Sequence, residues 1–288
     1  ASTSTDNSVT YEAGPVICGD HTAPFLMACP NDCSDTSSTP PGSGTAGDPY
    51  LICNDSHLVT IQSNPAIYGN AYLSLRNDIN LASSSFAGLI GGTGPNSSFT
   101  GVFEGAGCEI SSLNISGADH LGLFSRTYCA SINNLKLTNP IIAATGDYNG
   151  SLVGYAEASH IKNIVINNVD ITGNAFIGGA VGSLEGVPRV FENVGVTAYV
   201  HTSSNYGYVG GALGQAYTPD ANTTYDCSPY TGNDIIAGDQ SISIAKTVVS
   251  GSIQDDGVNF GGFYYGGVAG AIWNDLDGSS ETVSYTHL

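Results

Sequence analysis

The sequence has very few basic residues. Its 288 residues include only 6 Lys and Arg against 25 Asp and Glu, which gives a formal net charge of -19. A surface of that sign repels nucleic-acid phosphates and anionic lipid, so we expect neither as a partner. Because charged residues make up only 11% of the chain, most of the exposed surface must consist of uncharged polar side chains.

Long apolar runs and strong helix-forming stretches are also missing. No stretch is long and apolar enough to cross a bilayer, so we expect no membrane insertion of this fragment. Leu, Glu, Lys and Ala are too scarce for long amphipathic helices. Hydrophobic residues make up 41% of the chain and 38 residues are glycine, in short apolar runs separated by Gly, Asn and Ser turns. This pattern predicts an ordered, all-β fold.

A glycine-rich apolar phrase recurs along the chain. GYVGGALGQAY, which starts at Gly207, has near-copies at HLGLFS, GSLVGY, IGGAVGS and YYGGVAG. The repeat glycine of the first copy is Gly122. The four later copies share a glycine at one aligned position, where the first copy has a serine. The aligned position is occupied by Ser125, Gly154, Gly182, Gly214 and Gly270, with gaps of 29, 28, 32 and 56 residues. We expect these glycines at corners that need a positive φ or a close approach of neighbouring backbone.

A second phrase follows each of the first four. SINNLKL, HIKNIVI, VFENVGV and SIAKTVV place apolar residues at alternating positions, and Asn134, Asn163 and Asn193 occupy the same place in the first three. Alternation with a period of two predicts a strand with one buried face. One unit cannot bury that face alone, so the repeats predict a β-solenoid of stacked coils, with the asparagines bonded in a ladder.

These phrases resemble the GLUG repeat of large secreted bacterial adhesins and IgA-peptidase-like surface proteins. The segments that usually precede such repeats are similar to two stretches of this chain, GSGTAGDPYLICNDSHLVTI and SSFTGVFEGAGCEISSLNIS. The resemblance covers roughly residues 43–282. Cys108 departs from the usual polar residue, and the segment 216–239 is an unusual insertion. The resemblance implies a right-handed β-helix on the outside of a bacterium, in a surface or adhesive protein, with no catalytic residue and no cofactor.

Three regions follow from this organisation. Residues 1–48 form a Cys-containing N-terminal segment that ends in a Ser/Thr/Pro/Gly linker. Residues 49–282 form the solenoid. Residues 283–288, VSYTHL, look like a translated sequencing adapter, so we expect the natural protein to continue beyond them. The first residues show neither a basic nor an apolar signal region, so we expect any signal peptide to have been removed.

Seven cysteines favour an oxidising compartment, and their odd number leaves one unpaired in this chain. The spacing of Cys29 and Cys33, with His21 and Cys18 nearby, would suit zinc, but disulfides in a secreted segment are the preferred interpretation. Possible disulfide partners are Cys18, Cys29, Cys33, Cys53 and Cys108. If adjacent coils stack, Cys53 with Cys108 is the preferred pair, and Cys227 has no evident partner.

No motif for catalysis stands out. There is no G-x-S-x-G and no H-E-x-x-H. A β-helical enzyme that degrades polysaccharide remains the alternative, and it would need a carboxylate pair and a basic residue in one groove. Candidate carboxylates are Asp170, Glu185, Glu192, Asp255 and Asp256. Residues 255–257 and 274–278 are oxygen-rich turns that could hold calcium weakly, although a plain turn is the preferred interpretation.

Aromatic clusters are the most function-like feature. Flat rings beside Gly and Asn suit sugar or protein surfaces, although the same residues could also point into the core. Candidate ligand contacts are Tyr206, Tyr208, Tyr217, Tyr264, Tyr265 and Trp273. We therefore expect an extracellular, non-enzymatic adhesive solenoid that binds host or bacterial glycan or protein. A further alternative is a filament subunit that self-associates by exchanging an N-terminal strand at residues 15–18 or 25–27.

Overall fold

The structure is a computed structural model that describes residues 9–11, 26–92, 97–186, 189–202, 207–218, 227, 242–255 and 263–274. The described part contains 21 strands and two short helices. The helices are α1 (Asp55–Ser63) and α2 (Pro65–Tyr68). The first strands are β1 (Val9–Tyr11), β2 (Tyr50–Ile52), β3 (Tyr72–Leu75), β4 (Ile79–Asn80), β5 (Val102–Glu104), β6 (Glu109–Ser111), β7 (Asn114–Gly117), β8 (Phe124–Tyr128), β9 (Ser131–Thr138) and β10 (Ile141–Ala144). The remaining strands are β11 (Asn149–Gly150), β12 (Val153–Glu157), β13 (His160–Gly173), β14 (Ile177–Gly178), β15 (Val181–Glu185), β16 (Arg189–Thr202), β17 (Gly207–Gly210), β18 (Leu213–Thr218), β19 (Ile242–Asp255), β20 (Phe263–Gly266) and β21 (Ala269–Asn274).

Strands from successive repeats lie side by side in three sheets. The largest follows the order β1-β19-β16-β13-β9-β5-β3-β2, and the others are β21-β18-β15-β12-β8 and β11-β14-β17-β20. The predicted solenoid is confirmed, because Val153 pairs with Val181 and Val181 with Leu213 in parallel register. The five-stranded sheet marks about five turns. From β2 to β19 the stack spans roughly 29 Å at about 4.8 Å per strand.

The core is a continuous inner column. Ile132, Ile161 and Phe191 are register partners on three successive coils, and each is fully buried. Buried Ile, Val, Leu and Phe side chains from Ile52 to Ala269 form one hydrophobic cluster. A single coil contributes only a thin layer to this cluster, so burial is achieved only when neighbouring coils are stacked.

One corner of three successive coils is formed by asparagine. Asn134, Asn163 and Asn193 all have φ of 56°, the left-handed region that Asn tolerates better than most residues. Their amides form the predicted ladder. Asn193 Nδ2 donates to Asn163 Oδ1 at 2.8 Å, and Asn163 Nδ2 donates to Asn134 Oδ1 at 2.9 Å. The ladder ends where Asn134 Nδ2 donates to the carboxylate of Glu104 at 2.9 Å.

The repeat glycines serve close packing and do not have a positive φ. The backbone at Gly154, Gly182 and Gly214 is not in the left-handed region. A Cβ on Gly182 would lie 2.5 Å from the backbone nitrogen of Asn149. The glycine column therefore lets the backbone of a neighbouring segment approach, which is the second of the two roles expected from the sequence.

Gly122 does not belong to this column. Phe124 is the register partner of Val153, the residue before Gly154. Ser125 therefore occupies the aligned position, and Gly122 lies three residues before it. A Cβ on Gly122 would still meet the carbonyl oxygen of Gly150 at 2.7 Å, so this glycine meets the same steric demand at a different place in the coil.

Residues 26–48 are fixed to the first coils by two disulfides. Cys29 is bonded to Cys108 and Cys33 to Cys53. The predicted pair of Cys53 with Cys108 is wrong, because β3 lies between β2 and β5 and separates these residues by about two strand spacings, beyond the reach of a disulfide. Both cysteines of the C-x₃-C spacing are in disulfides, which excludes a thiolate zinc site at that pair.

A third disulfide joins Cys129 to Cys227. The expectation that Cys227 has no partner in this chain is therefore wrong. Cys129 lies between β8 and β9, and Cys227 lies between β18 and β19. Because β12 and β15 come between β8 and β18 in their sheet, the bond connects parts of the chain that are three coils apart in sequence. Cys18 and His21 lie outside the described residues.

The all-β prediction holds except for two short helices in the first coil. Asn54 caps α1, because its Oδ1 accepts from the backbone N–H of His57 at 3.0 Å. Together with Pro65 at the start of α2, this Asn is a recognisable helix-start signal that the strand interpretation of this stretch missed. Neither helix of the described chain combines the length and apolar character that crossing a membrane would need.

Several predictions concern residues at the margins of the described chain. The N-terminal strand that pairs is β1, antiparallel to β19. Residues 26 and 27 are not in a strand, and residues 15–18 lie outside the described part. Residues 216–218 belong to β18, so the insertion begins after them. Most of both calcium-type turns and all of residues 283–288 also lie outside the description.

The glycine column makes a direct prediction. Replacing Gly182 by Ala forces a Cβ against fixed backbone, so we expect about 1–3 kcal/mol of destabilisation, measured as a lower denaturant midpoint. Gly47 is the matched control, because a Cβ there meets nothing within 4 Å. Gly47→Ala should stay within about 0.5 kcal/mol of wild type. Equal midpoints for the two variants would contradict the packing role.

Candidate functional site

One candidate surface lies on the outer side of the five-stranded sheet. Its residues stand one and three positions after the aligned glycine or Ser125, and the strand register stacks them in two columns. We call this surface the acid–aromatic face. It comprises Arg126, Tyr128, Tyr155, Glu157, Ser183, Glu185, Gln215 and Tyr217.

One part of this face is held by Arg126 on β8, which contacts two side chains of the neighbouring strand β12. Arg126 Nη2 lies 3.0 Å from Glu157 Oε2, and both side chains are largely buried. The guanidinium carbon of Arg126 also lies 4.3 Å from the centre of the Tyr155 ring. The arginine therefore joins an ion pair and a cation–π contact in one place, which fixes the ring and the carboxylate relative to each other.

Another part of this face converges on Glu185. The Tyr155 hydroxyl donates to Glu185 Oε2, and the Ser183 hydroxyl donates to Oε1 at 2.9 Å. Gln215 Nε2 donates to the same Oε1 at 3.2 Å and to the Ser183 oxygen at 2.9 Å. Three coils thus supply donors to one carboxylate, so its negative charge is well satisfied by the protein itself.

Burial changes the acid–base behaviour of the face. Desolvation raises the pKa of Glu157; the Arg126 guanidinium opposes this shift and the nearby Glu185 adds to it. Desolvation also raises the pKa of Tyr155, and the charge of Glu185 acts in the same direction. Tyr155 is therefore a hydrogen-bond donor at physiological pH, while Glu157 holds a proton more readily than an exposed glutamate.

An aromatic column borders the acid–aromatic face at a corner of the coils. The His120 and Tyr148 rings stack with centres 5.2 Å apart, and Tyr148 stacks on Phe176 at 4.5 Å. Phe176 contacts Tyr208 at 5.4 Å, and Tyr155 meets the edge of this column at 5.4 Å from Tyr148. Because the rings cover each other's faces, the column offers mainly ring edges to a ligand.

A second surface lies on the C-terminal halves of the long strands. We call it the axial face, because its two columns run along the stacking direction of the coils. One column is Asn114, Ile141, Asp170, Tyr199 and Ser252, and the other is Ser116, Ala143, Thr172, His201 and Gln254. Ile141 is 46% exposed and Tyr199 49% exposed, so both present apolar surface to solvent.

An open depression of about 580 Å³ continues the axial face at the end formed by β7. It shares Asn114, Ser116 and Ile141 with that face. The rest of its lining is Leu81, Ala82, Ser84, Phe86, Ser112 and Asn139. No residue of this lining is charged, so the depression suits an uncharged ligand.

The structure brings only some of the predicted ligand aromatics together. Tyr208 belongs to the aromatic column and Tyr217 to the acid–aromatic face. The backbones of Tyr264 and Trp273 are the register partners of Tyr208 and Tyr217. Tyr265 pairs with Val209, and Tyr206 lies outside the described residues.

The candidate carboxylates of the polysaccharide-degrading alternative are not gathered with one another. Asp170 lies on the axial face, where its Oδ1 is 3.8 Å from His201 Nε2. Glu192 accepts from the Ser243 hydroxyl on the other half of the same sheet. Glu185 is the exception, because it lies beside Glu157 and near Arg126. Asp255 ends β19, and Asp256 lies outside the described chain.

Sequence reasoning missed Glu157, Tyr155 and three members of the aromatic column, namely His120, Tyr148 and Phe176. A signal was available for the first two, since each follows the aligned glycine at the same offset as its partner in the next repeat. Comparing repeats position by position would have found them. The aromatic column carries the same kind of signal, since Tyr148, Phe176 and Tyr208 each stand six residues before the aligned glycine. The sequence does not show that these positions are left-handed; His120, Tyr148 and Phe176 have φ of 58°, 61° and 55°, which bulky residues rarely adopt.

The aromatic column predicts a pH effect. Burial, followed by the charge of Arg126, lowers the pKa of His120 below its ordinary 6.5, while Asp119 and Asp147 oppose the shift. The unfolded chain then binds more protons than the folded chain just below pH 6.5, so stability falls as the pH is lowered through that range. His120→Phe keeps a ring in the stack, and its thermal midpoint should fall less between pH 7 and pH 5. Parallel curves for the two proteins would contradict this account.

Comparison with known proteins leaves the family of this chain open. No family model matches the chain, so membership of the GLUG-repeat family stays a prediction. The chain is 33% identical over 162 residues to halomucin from Haloquadratum walsbyi; the match covers 53% of this chain and 2% of halomucin. A crystal structure of a putative immunoglobulin A1 protease from Bacteroides ovatus aligns with a TM-score of 0.40 and 14% identity, over 84% of this chain and 81% of the other. The matched part of the chain is therefore similar to a short section of a much longer protein.

Proposed function

We propose that the chain is an extracellular structural and adhesive β-solenoid, a segment of a longer secreted or bacterial surface protein, and that it binds glycan or protein without catalysis. The observation that carries the proposal is the stack of register-matched coils joined by three disulfides. Disulfides persist in oxidising compartments. The similarity to a section that makes up 2% of halomucin supports one module of a long chain.

The architecture suits display of a fixed surface. Inward positions are used for the core and outward positions are free to carry ligand contacts at intervals of about 4.8 Å. Contacts on such a scaffold lose little conformational entropy on binding, because the strands that carry them are already ordered. A negative chain with net charge -19 is also kept from nonspecific contact with nucleic acid and anionic lipid.

A binding experiment tests the proposal. Labelled full-length chain is applied to an array of neutral and acidic glycans and to bacterial and host cells, and we expect saturable binding to at least one of them with no change in the ligand. Chain reduced with dithiothreitol should bind less, because the disulfides that hold residues 26–48 and 227 to the coils are lost. Absence of binding to every glycan and cell would leave a mechanical spacer in place of an adhesin.

A second candidate is cleavage of a polysaccharide. One specific observation favours it: Glu157 and Glu185 are register partners on adjacent coils with Arg126 beside them. Burial raises the pKa of Glu157, as a general acid near neutral pH requires. Against it, the oxygens of Glu185 already accept from Tyr155, Ser183 and Gln215, which favours a structural role for that carboxylate.

The cleavage candidate makes its own prediction. Incubation with neutral and acidic polysaccharides should release reducing ends, and Glu157→Gln should lower the rate by at least about a hundredfold, the usual contribution of a general acid. Glu192→Gln is the matched control, because Glu192 lies on a different sheet and bonds to Ser243. If neither the wild type nor Glu192→Gln releases product, the cleavage candidate is wrong. If all three proteins release product at equal rates, Glu157 is not the general acid.

A further inference from the structure

The axial face carries two exposed apolar side chains in one column. Four large hydrophobic residues are exposed in the described chain, and two of them, Ile141 and Tyr199, lie in one column of this face. The strands that carry them, β10 and β16, are separated by β13, so the two side chains start about 10 Å apart along the stacking direction. They form two apolar platforms on one line.

Polar groups surround these platforms on both sides. Asn114 precedes Ile141 in the column and Asp170 lies between Ile141 and Tyr199. The second column adds Thr172 beside Asp170 and His201 beside Tyr199. Amide, hydroxyl, carboxylate and imidazole groups together supply donors and acceptors, which a ligand rich in hydroxyl groups can satisfy along its whole length.

The charge of the face limits what can occupy it. Asp170 is the one carboxylate among its ten residues, and its Oδ1 lies 3.8 Å from His201 Nε2. The face has no Lys or Arg to pair with an anionic ligand, and the chain has a net charge of -19. Two copies of this chain would repel each other for the same reason, so an uncharged ligand fits best.

The shape of the surface indicates an elongated ligand. The columns extend over β7, β10, β13, β16 and β19, which is about 19 Å at the usual strand spacing. At the end formed by β7 the face continues into the open depression lined by Phe86, Ser112 and Asn139. A chain molecule that lies along the columns would contact both platforms and enter the depression.

We propose that the axial face binds an uncharged, linear glycan that lies along the stacking direction of the coils, with sugar rings on Tyr199 and Ile141 and hydroxyl groups bonded to the flanking polar side chains. Aromatic and aliphatic platforms bind the apolar faces of sugar rings, while the polar groups fix orientation. This inference rests on the proposed adhesive function and names its ligand class and its surface.

Affinity electrophoresis of the full chain tests the inference with neutral polysaccharides and an anionic one. Hydroxyethylcellulose and carboxymethylcellulose share a cellulose backbone, so this pair differs mainly in charge. Gels contain hydroxyethylcellulose or galactomannan as neutral probes, or carboxymethylcellulose as the anionic counterpart. We expect retardation by at least one neutral polymer and none by carboxymethylcellulose. Tyr199→Ala should weaken binding about tenfold or more, Ile141→Ala about threefold, and Tyr199→Phe should retain most of it, because the ring is the platform.

Ile67→Ala is the control, since Ile67 is 58% exposed but lies on α2, away from the axial face. It should bind like wild type, and circular dichroism should show all variants folded. Unchanged affinity of Tyr199→Ala, stronger retardation by carboxymethylcellulose, or no retardation by either neutral polymer would overturn the inference. If Tyr199→Ala still binds cells like wild type, the adhesive function stands and only this ligand and surface fail. Loss of a concentration-dependent dimer in Tyr199→Ala would instead identify the face as a self-association surface.

Discussion

The repeated coils of the described chain depend on a few residues that hold a left-handed backbone at the same place in successive turns. For residues other than glycine that conformation costs roughly 1–2 kcal/mol each. The cost is offset down the columns, where side chains at the same corner contact one another: amide to amide at Asn134, Asn163 and Asn193, and ring to ring at His120 and Tyr148. Corners held in this way keep the strands in register, so the parallel hydrogen bonds and the inner apolar column follow.

The sequence predicts what is periodic and local. Alternating apolar residues and the recurrent Asn indicated the solenoid, its inward positions and the amide ladder, because each of these repeats at a fixed spacing. Gly182 is an example of what the local sequence cannot predict. The repeat shows that glycine is needed at this position. Whether it is needed for a positive φ or for a close contact depends on the backbone at Asn149, more than thirty residues away. The helix at Asn54 was predictable from its cap. The pairing of Cys29 with Cys108, 79 residues apart, was not, because it depends on how the N-terminal segment lies on finished coils.

The two outward faces show the same scaffold used in opposite ways. On the acid–aromatic face the polar groups satisfy one another, since Arg126 neutralises Glu157 and three donors converge on Glu185. A ligand there would have to displace bonds that are already made, at the desolvation cost of buried charge. On the axial face Ile141 and Tyr199 remain exposed and the flanking groups are mostly polar. Burial and hydrogen bonding therefore favour a stabilising role for the first face and a recognition role for the second.

The negative net charge of the chain affects which ligand the axial face can bind. At physiological ionic strength the Debye length is about 8 Å, so the negative surface acts on a ligand mainly at close range. An uncharged chain molecule avoids that repulsion and gains only short-range contacts, each of them weak. Affinity must then come from many contacts made at once, and a solenoid supplies them because each coil adds another row about 4.8 Å further along the same line. The regular stacking that gives the fold its core therefore also sets the length of ligand that the axial face can hold.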